Sequence, residues 1–268
     1  MEKTKFANQD YSTTNTIMVE DIFVCFKQEY SLSPKIPFTE LSTDIPKFDS
    51  ISVEFIKDKN YLTGFVIVLE KELRQTEGEK EIDHFSKFLA HLICIKSHRH
   101  IQIDPSNLEY IRKDGSTRIG NSCTFMYNVE GAPAKLNIQE ELLKISRSSK
   151  PHIKQYIGYL AKTIVFYQEG FPDHSIIEGF KVIEYDKNFI HHNIYYALRN
   201  ILAHSPYYWP NTIHYFKESF NRDDFDYIKY EPENKLIILD LDSNKTLKKL
   251  NEIVEDLICQ LKIYLNLE

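Results

Sequence analysis

The stretch that decides the fold of the C-terminal half reads Tyr196-Ala197-Leu198-Arg199-Asn200-Ile201-Leu202-Ala203-His204-Ser205-Pro206. Apolar residues from Ile190 onward recur at helical spacing and predict an amphipathic helix that ends within this stretch. Pro206 disfavours helical geometry at the residue before it, so His204 is expected in the last helical turn. The sequence therefore predicts a permanent cation, an amide and an imidazole near the end of one helix, where it meets a loop.

Helical periodicity extends on both sides of this stretch. Five helices are predicted, over residues 136–146, 153–165, 172–183 and 188–204 and from Ser243 or Asn244 towards the end. Asp173 and Asn188 are expected to cap the third and fourth of them, because short polar side chains favour that position. A loop follows the motif, and residues 227–230 and 236–239 then predict a small β-hairpin insert.

Strand-like runs dominate the first half of the chain. Residues 51–56 and 61–69 predict one hairpin, and residues 107–111 and 117–129 predict a second. Apolar residues at spacings of three and four predict a helix over residues 79–96. The chain is therefore predicted to be α+β, with a mixed strand-rich domain followed by an all-α bundle that carries the hairpin insert.

Two features complete the domain prediction. Three prolines, Pro34, Pro37 and Pro46, indicate an irregular connection over residues 31–50. Pro133 follows the last predicted strand, which places the domain boundary between residues 1–134 and residues 135–268. The sequence assigns no role to the first of these domains.

The charge balance limits the possible partners. Lys and Arg number 33 and Asp and Glu 39, which gives a formal net charge of −6. Tight non-specific DNA binding depends on phosphate neutralisation and is not expected of such a chain. Any contact with a nucleic acid must use a local basic patch.

The cysteines and the apolar runs predict a cytoplasmic protein. The four cysteines, Cys25, Cys94, Cys123 and Cys259, are far apart and contain no C-x-x-C pair, so neither a zinc knuckle nor a disulfide framework is indicated. No apolar signal core follows Met1, and no run reaches the length of a membrane span. Neither a cofactor nor a metal ion is expected, and no membrane partner.

Four residues separate Arg199 from His204, and the polar Asn200 follows the arginine. With these residues near the end of a late helix, the C-terminal half resembles the HEPN superfamily. The surroundings of the motif are similar to its Apea-like and MauJ-like branches. The resemblance implies a bundle of four or five helices and a homodimer in which motifs from two protomers face one cleft.

The resemblance also implies a chemistry, which is metal-independent RNA cleavage of the kind found in defence and toxin systems. The ribose 2′-OH attacks the adjacent phosphorus and the 5′-oxygen leaves. His204 would move the proton, because an imidazole titrates near neutral pH. Arg199 would stabilise the charge on the phosphorane, and Asn200 would orient a reactant or the imidazole.

Geometry leaves two arrangements open for this pair. Residues five apart on a regular helix differ by about 140° in azimuth, so Arg199 and His204 do not share a face. Their heads can meet if the last turn tightens or unwinds, or the two residues can meet partners across a dimer interface. A purely structural role at the helix end is the alternative, since the helix dipole favours basic side chains there. The protein would then be a non-catalytic binding or dimerisation module.

Several neighbours of the motif are candidates for support. Tyr207, Tyr208 and Trp209 could stack on nucleobases or pack within the bundle or an interface. Glu178 and Glu184 belong to the preceding helix, and either could pair with Arg199. His191 and His192 diverge by about 100° and so cannot readily chelate one metal ion, and solvent-facing or interfacial positions are expected for both.

Overall fold

The computed structural model describes residues 21–42, 47, 50–120, 133–204 and 210–267. This part of the chain contains ten β-strands and seven α-helices, with a sheet-rich N-terminal half and a helical C-terminal half. The prediction of the α+β class is therefore confirmed. None of the helices within these ranges has the length and apolar character needed to cross a bilayer.

One mixed sheet forms the N-terminal half. Its members are β2 (Cys25–Leu41), β3 (Ile51–Asp58), β4 (Tyr61–Leu69), β6 (Gln102–Ile111), β7 (Thr117–Gly120) and β8 (Ala134–Leu136). The order is β3-β4-β2-β6-β7 with antiparallel neighbours, and β8 adds to β2 in parallel. A separate short pair joins β1 (Ile22–Phe23) to β5 (Leu73–Arg74). The hairpin predicted over residues 51–69 is confirmed as β3 and β4.

The prediction of an irregular connection over residues 31–50 is wrong for its first part, because β2 continues through Pro34 and Pro37. Its register with β4 shifts between Ser31 and Ile36, which leaves Pro34 without a pairing partner on that strand. A proline has no N–H to donate, so it is tolerated where the ladder is already interrupted. Pro46 lies outside the described residues.

The long helix α1 (Gln75–Ser97) includes the helix predicted over residues 79–96. Ile82, Phe85, Leu89 and Leu92 are buried on it at the spacing of three and four that the sequence shows. The helix packs against the sheet on one side and against helices of the C-terminal half on the other. One continuous hydrophobic cluster therefore runs through both halves of the chain.

Six helices make up most of the C-terminal half. They are α2 (Ile138–Ser146), α3 (Ile153–Gln168), α4 (Pro172–Ile183), α5 (His192–Ala203), α6 (Pro210–Ser219) and α7 (Asn244–Leu265). Helix α4 contacts α3, α5 and α7 and so lies at the centre of this group. The strands β9 (Tyr227–Glu231) and β10 (Leu236–Leu239) pair antiparallel between α6 and α7.

The helix ends test the predicted caps. Helix α7 begins at Asn244, one of the two starts that the sequence predicts, and Ser243 caps it, because its hydroxyl accepts from the backbone N–H groups of Lys245 and Thr246. Asp173 is not a cap, since α4 begins one residue earlier with a proline, whose fixed φ suits the first helical position. Asn188 is not a cap either. The chain forms tight turns up to His191, which precedes α5 in the left-handed conformation.

Candidate functional site

Helix α5 ends at the motif. Its last helical residue is Ala203, and His204 adopts an extended backbone with φ −125° and ψ 127°. The N–H of His204 still donates to the carbonyl oxygen of Asn200 at 3.0 Å. His204 therefore keeps one helical hydrogen bond while the chain turns away from the helix axis. Ser205 and Pro206, which predicted this ending, lie outside the described residues.

The side chains of Arg199 and His204 meet within one chain. Nη1 of Arg199 lies 3.0 Å from Nε2 of His204. A regular helix would hold the two residues about 140° apart, but the extended backbone at His204 releases its ring from the helical path. Of the two arrangements left open by the sequence, the loosened helix end is therefore the one observed for this pair.

The contact also specifies the tautomer of the imidazole. A guanidinium carries only donors, so Nε2 of His204 must accept the hydrogen bond and the ring proton of the neutral form lies on Nδ1. His204 is exposed, and the Arg199 side chain retains 27% of its accessible surface. A ligand can therefore reach both the guanidinium and the imidazole from solvent.

Asn200 is fully buried behind this pair. Its Oδ1 accepts from Nη1 of Arg199 at 2.9 Å, and its Nδ2 donates to Oγ1 of Thr212 at 3.1 Å. Nη1 carries two hydrogens, so it can serve Asn200 and His204 together. Of the two roles expected for Asn200, the geometry favours neither, since the amide holds the guanidinium of Arg199 from the protein side.

Thr212 belongs to α6, a helix that the sequence prediction missed. The residue is fully buried and gives the Asn200 amide its second partner, which a buried polar group requires. Ile213 and Phe216 are buried on the same short helix at a spacing of three. This spacing, with Pro210 as the first helical residue, is the signal that could have identified α6.

Glu184 and Phe180 complete the surroundings of Arg199. Oε1 of Glu184 lies 3.9 Å from Nη2 of Arg199, and Cζ of Arg199 lies 6.0 Å from the centroid of the Phe180 ring. Glu184 follows the last residue of α4, and Phe180 lies in the last turn of that helix. The guanidinium is thus held between the ends of two neighbouring helices, α4 and α5.

The second predicted acidic partner lies elsewhere. Glu178 forms its ion pair with Lys181, and its Oε2 is buried with no hydrogen-bond partner among the described residues. It lines a separate cavity of about 270 Å³ with His91 and Lys162. Burial lowers the pKa of His91 there, and the positive charge of Lys162 adds to the effect. Within the described residues, Glu184 is the acidic side chain in range of Arg199.

Aromatic side chains follow α5 away from the motif. Tyr196 packs on Phe180 at 6.2 Å and on Tyr215 at 6.1 Å between ring centroids. His191 is exposed, but the prediction of a solvent-facing or interfacial position is wrong for His192, which is buried against Phe180. His191 precedes α5 in the left-handed conformation, whereas His192 is the first helical residue, which explains why the two side chains differ in burial. Tyr207, Tyr208 and Trp209 lie outside the described residues.

Comparisons with protein-family models, with curated proteins and with solved structures find no match to this chain. Any functional assignment therefore depends on these residues and on their geometry.

Proposed function

We propose that this chain is a HEPN-type endoribonuclease that cleaves RNA by 2′-OH transesterification without a metal ion. The observation that carries the proposal is the 3.0 Å contact between Arg199 and His204 at the exposed end of α5. It joins a permanent cation to an imidazole, a side chain that can act as a general acid or base. The fully buried Asn200 holds the guanidinium of Arg199 in position through a hydrogen bond.

The roles of the two side chains follow from their chemistry. Nε2 of His204 accepts the proton of the 2′-OH, and the resulting oxygen nucleophile forms a bond to phosphorus as the bond to the 5′-oxygen breaks. The products are a 2′,3′-cyclic phosphate and a 5′-hydroxyl, whose oxygen takes up a proton from water. Arg199 stabilises the negative charge that accumulates on the phosphoryl oxygens.

The contact geometry adds a condition to this scheme. Nε2 of His204 accepts from Arg199, so the nitrogen that can act as a base is occupied in the free protein. A phosphate bound by Arg199 competes for the same N–H group and thereby frees Nε2. Binding of the substrate phosphate to Arg199 would then also release Nε2 of His204 to act as the base.

We extend the proposal to a homodimer formed through the helical half, in which two such pairs line a shared cleft. One chain already brings Arg199 and His204 together, so the dimer is needed to form the cleft and not to assemble the pair. Light scattering coupled to size-exclusion chromatography measures the mass in solution. A mass near twice 31.7 kDa supports this part of the proposal, and a mass near 31.7 kDa at micromolar concentration contradicts it.

The test of the activity uses the full chain, mixed RNA and an excess of EDTA. Wild type is compared with His204→Ala and with His214→Ala, whose imidazole is exposed on α6 and pairs with Glu218 at 3.3 Å. We expect cleavage by wild type and by the His214 variant, and a loss of at least about 100-fold for the His204 variant. Equal activity of the two alanine variants would contradict the proposal.

A non-catalytic role is the second candidate, and one observation favours it. The contacts of Arg199 join His204, the residue after α5, to Glu184, the residue after α4, as expected of a clamp that fixes the end of α5. In that case, His204→Ala lowers the free energy of unfolding and no RNA is cut by any variant.

A further inference from the structure

A basic cavity lies at the other end of the helical half. Its volume is about 640 Å³, and its lining includes Lys144, Arg147, Ser148, Ser149, Lys150 and Asn266. These residues come from the end of α2, the connection that follows it, and the residue after α7. Phe189, which precedes α5, packs against Tyr264 of α7 with ring centroids 5.4 Å apart. The cavity is therefore separated from His204 by about the 18 Å length of α5.

The charges around this cavity do not balance. Three cations, Lys144, Arg147 and Lys150, line it with one carboxylate, Glu140. The buried carboxylate Glu141 is also close, but its Oε1 is shared by Lys144 at 3.5 Å and Lys96 at 2.9 Å. Arg147 forms no ion pair with any residue in the described ranges. With Asp186, whose charge acts on Lys150, two carboxylates face three cations, so one net positive charge remains at the cavity.

Helix capping does not account for these side chains. Basic residues at a helix C-terminus often bind its last carbonyl groups, and both α2 and α7 end here. The backbone already provides those bonds, because Arg147 N–H donates to Leu143, Ser148 N–H to Ile145, and Asn266 N–H to Ile263. Among the described residues the guanidinium of Arg147 therefore remains available to a ligand, while Lys144 also pairs with Glu141 and Lys150 lies on the Tyr264 ring.

The environment of Lys150 also favours a bound anion. Its ammonium nitrogen lies 3.0 Å from the centroid of the Tyr264 ring, and burial lowers its pKa although Asp186 acts in the opposite direction. A cation that loses hydration is stabilised by a nearby anion. An anionic ligand in the cavity would supply that charge next to Arg147 and Lys144.

We propose that this cavity binds a phosphate group. The guanidinium of Arg147 can hold two phosphate oxygens at once, while Lys144 and Lys150 add point charges. The hydroxyl groups of Ser148 and Ser149 supply further donors. The phosphate can belong to an RNA backbone or to a free nucleotide, since both present the same group. The proposal does not depend on RNA cleavage at Arg199 and His204.

The experiment measures binding to the full chain with probes that cannot be cut. One arm titrates a fluorescent 2′-O-methyl RNA of about twelve nucleotides, which lacks the nucleophile, and the other titrates ATP by calorimetry. The variants are Arg147→Ala and the double variant Lys144→Glu/Arg147→Glu. The control is Lys248→Glu, an exposed lysine on α7 about 27 Å along that helix from Asn266. Thermal melts monitored by circular dichroism confirm that each variant is folded.

We expect at least one probe to bind, with affinity reduced at least about tenfold in the double variant and less in Arg147→Ala. Lys248→Glu should remain within about twofold of wild type. Binding of RNA alone identifies a backbone phosphate as the ligand, and binding of ATP alone identifies a free nucleotide. Absence of binding by both probes, or equal binding by the double variant and Lys248→Glu, would overturn the proposal. Neither probe can be cut by attack of a 2′-OH, so the result does not depend on the cleavage proposed for Arg199 and His204.

Discussion

Nη1 of Arg199 lies 3.0 Å from Nε2 of His204, although five residues along a regular helix would turn the two side chains to different faces. The extended backbone at His204 makes this contact possible, and Asn200 and Thr212 hold the arginine from behind. The position of the exposed His204 imidazole therefore depends on Arg199 and, through it, on the buried hydrogen bonds of Asn200 and Thr212.

Thr212→Val should destabilise the protein and weaken the motif. The substitution preserves shape but removes the hydroxyl that accepts from Asn200 Nδ2, which leaves a buried amide group without its partner. The expected loss in the free energy of unfolding is about 1–3 kcal/mol, measured by urea denaturation. Thr212→Ser keeps the hydroxyl and should retain RNA cleavage better than Thr212→Val. Identical cleavage by the two variants would show that Asn200 does not position Arg199.

Glu184→Gln should alter substrate binding more than stability. The carboxylate lies 3.9 Å from Arg199 Nη2 and is 38% exposed, so the ion pair contributes below about 1 kcal/mol to stability. Its removal leaves the guanidinium more attractive to a phosphate. We expect a lower KM for RNA with little change in kcat, from initial rates over a range of substrate concentrations. A higher KM would contradict this role for Glu184.

Lys96→Met should be strongly destabilising. The lysine is 14% exposed and binds the fully buried Glu141 at 2.9 Å. Loss of one partner leaves a buried charge, which costs about 3–5 kcal/mol, towards the lower end here because Lys144 still lies 3.5 Å from the same oxygen. The matched control is Lys87→Met, whose pair with Asp83 is exposed and should contribute below about 1 kcal/mol. Similar urea midpoints for both variants would refute the prediction.

Cys94 should resist alkylation in the folded protein, whereas the exposed Cys259 should react. Burial raises the pKa of Cys94 to about 12, and the thiolate is the reactive species. At pH 7.5 the thiolate fraction of Cys94 is therefore very small. Peptide mapping by mass spectrometry after brief maleimide treatment gives the labelling of each thiol. Comparable labelling of Cys94 and Cys259 without denaturant would contradict the burial of Cys94.

The regular parts of the fold could be predicted because local patterns determine them. Helix α7 has a strict apolar stripe and a serine cap, and the hairpin of β3 and β4 has two apolar runs around a short polar turn. The path of β2 through two prolines could not be predicted, because it depends on pairing with β4 and β6, which are distant in sequence. Local turn signals favour the opposite conclusion there.

The candidate site was predictable in its residue types but not in its geometry. The sequence gives Arg199, Asn200 and His204 as neighbours at a helix end, whereas their contacts depend on one extended residue and on α6. Helix α6 is short and its sequence is largely polar, so Thr212 gave no sign of its role. The sequence does not distinguish Glu178 from Glu184 as a partner of Arg199. In the structure the chain turns after α4 and brings Glu184 near Arg199, whereas Glu178 pairs with Lys181.

The most direct test of the central claim uses a DNA oligonucleotide that contains a single ribonucleotide, incubated with the full chain in EDTA. We expect one cut, directly 3′ of the ribose, with a 2′,3′-cyclic phosphate on one product and a 5′-hydroxyl on the other. A 2′-O-methyl substitution at that position, or His204→Ala in the protein, should abolish the cut. An intact oligonucleotide with the wild-type chain, or the same cleavage by His204→Ala, would contradict the assignment of Arg199 and His204 as a ribonuclease site.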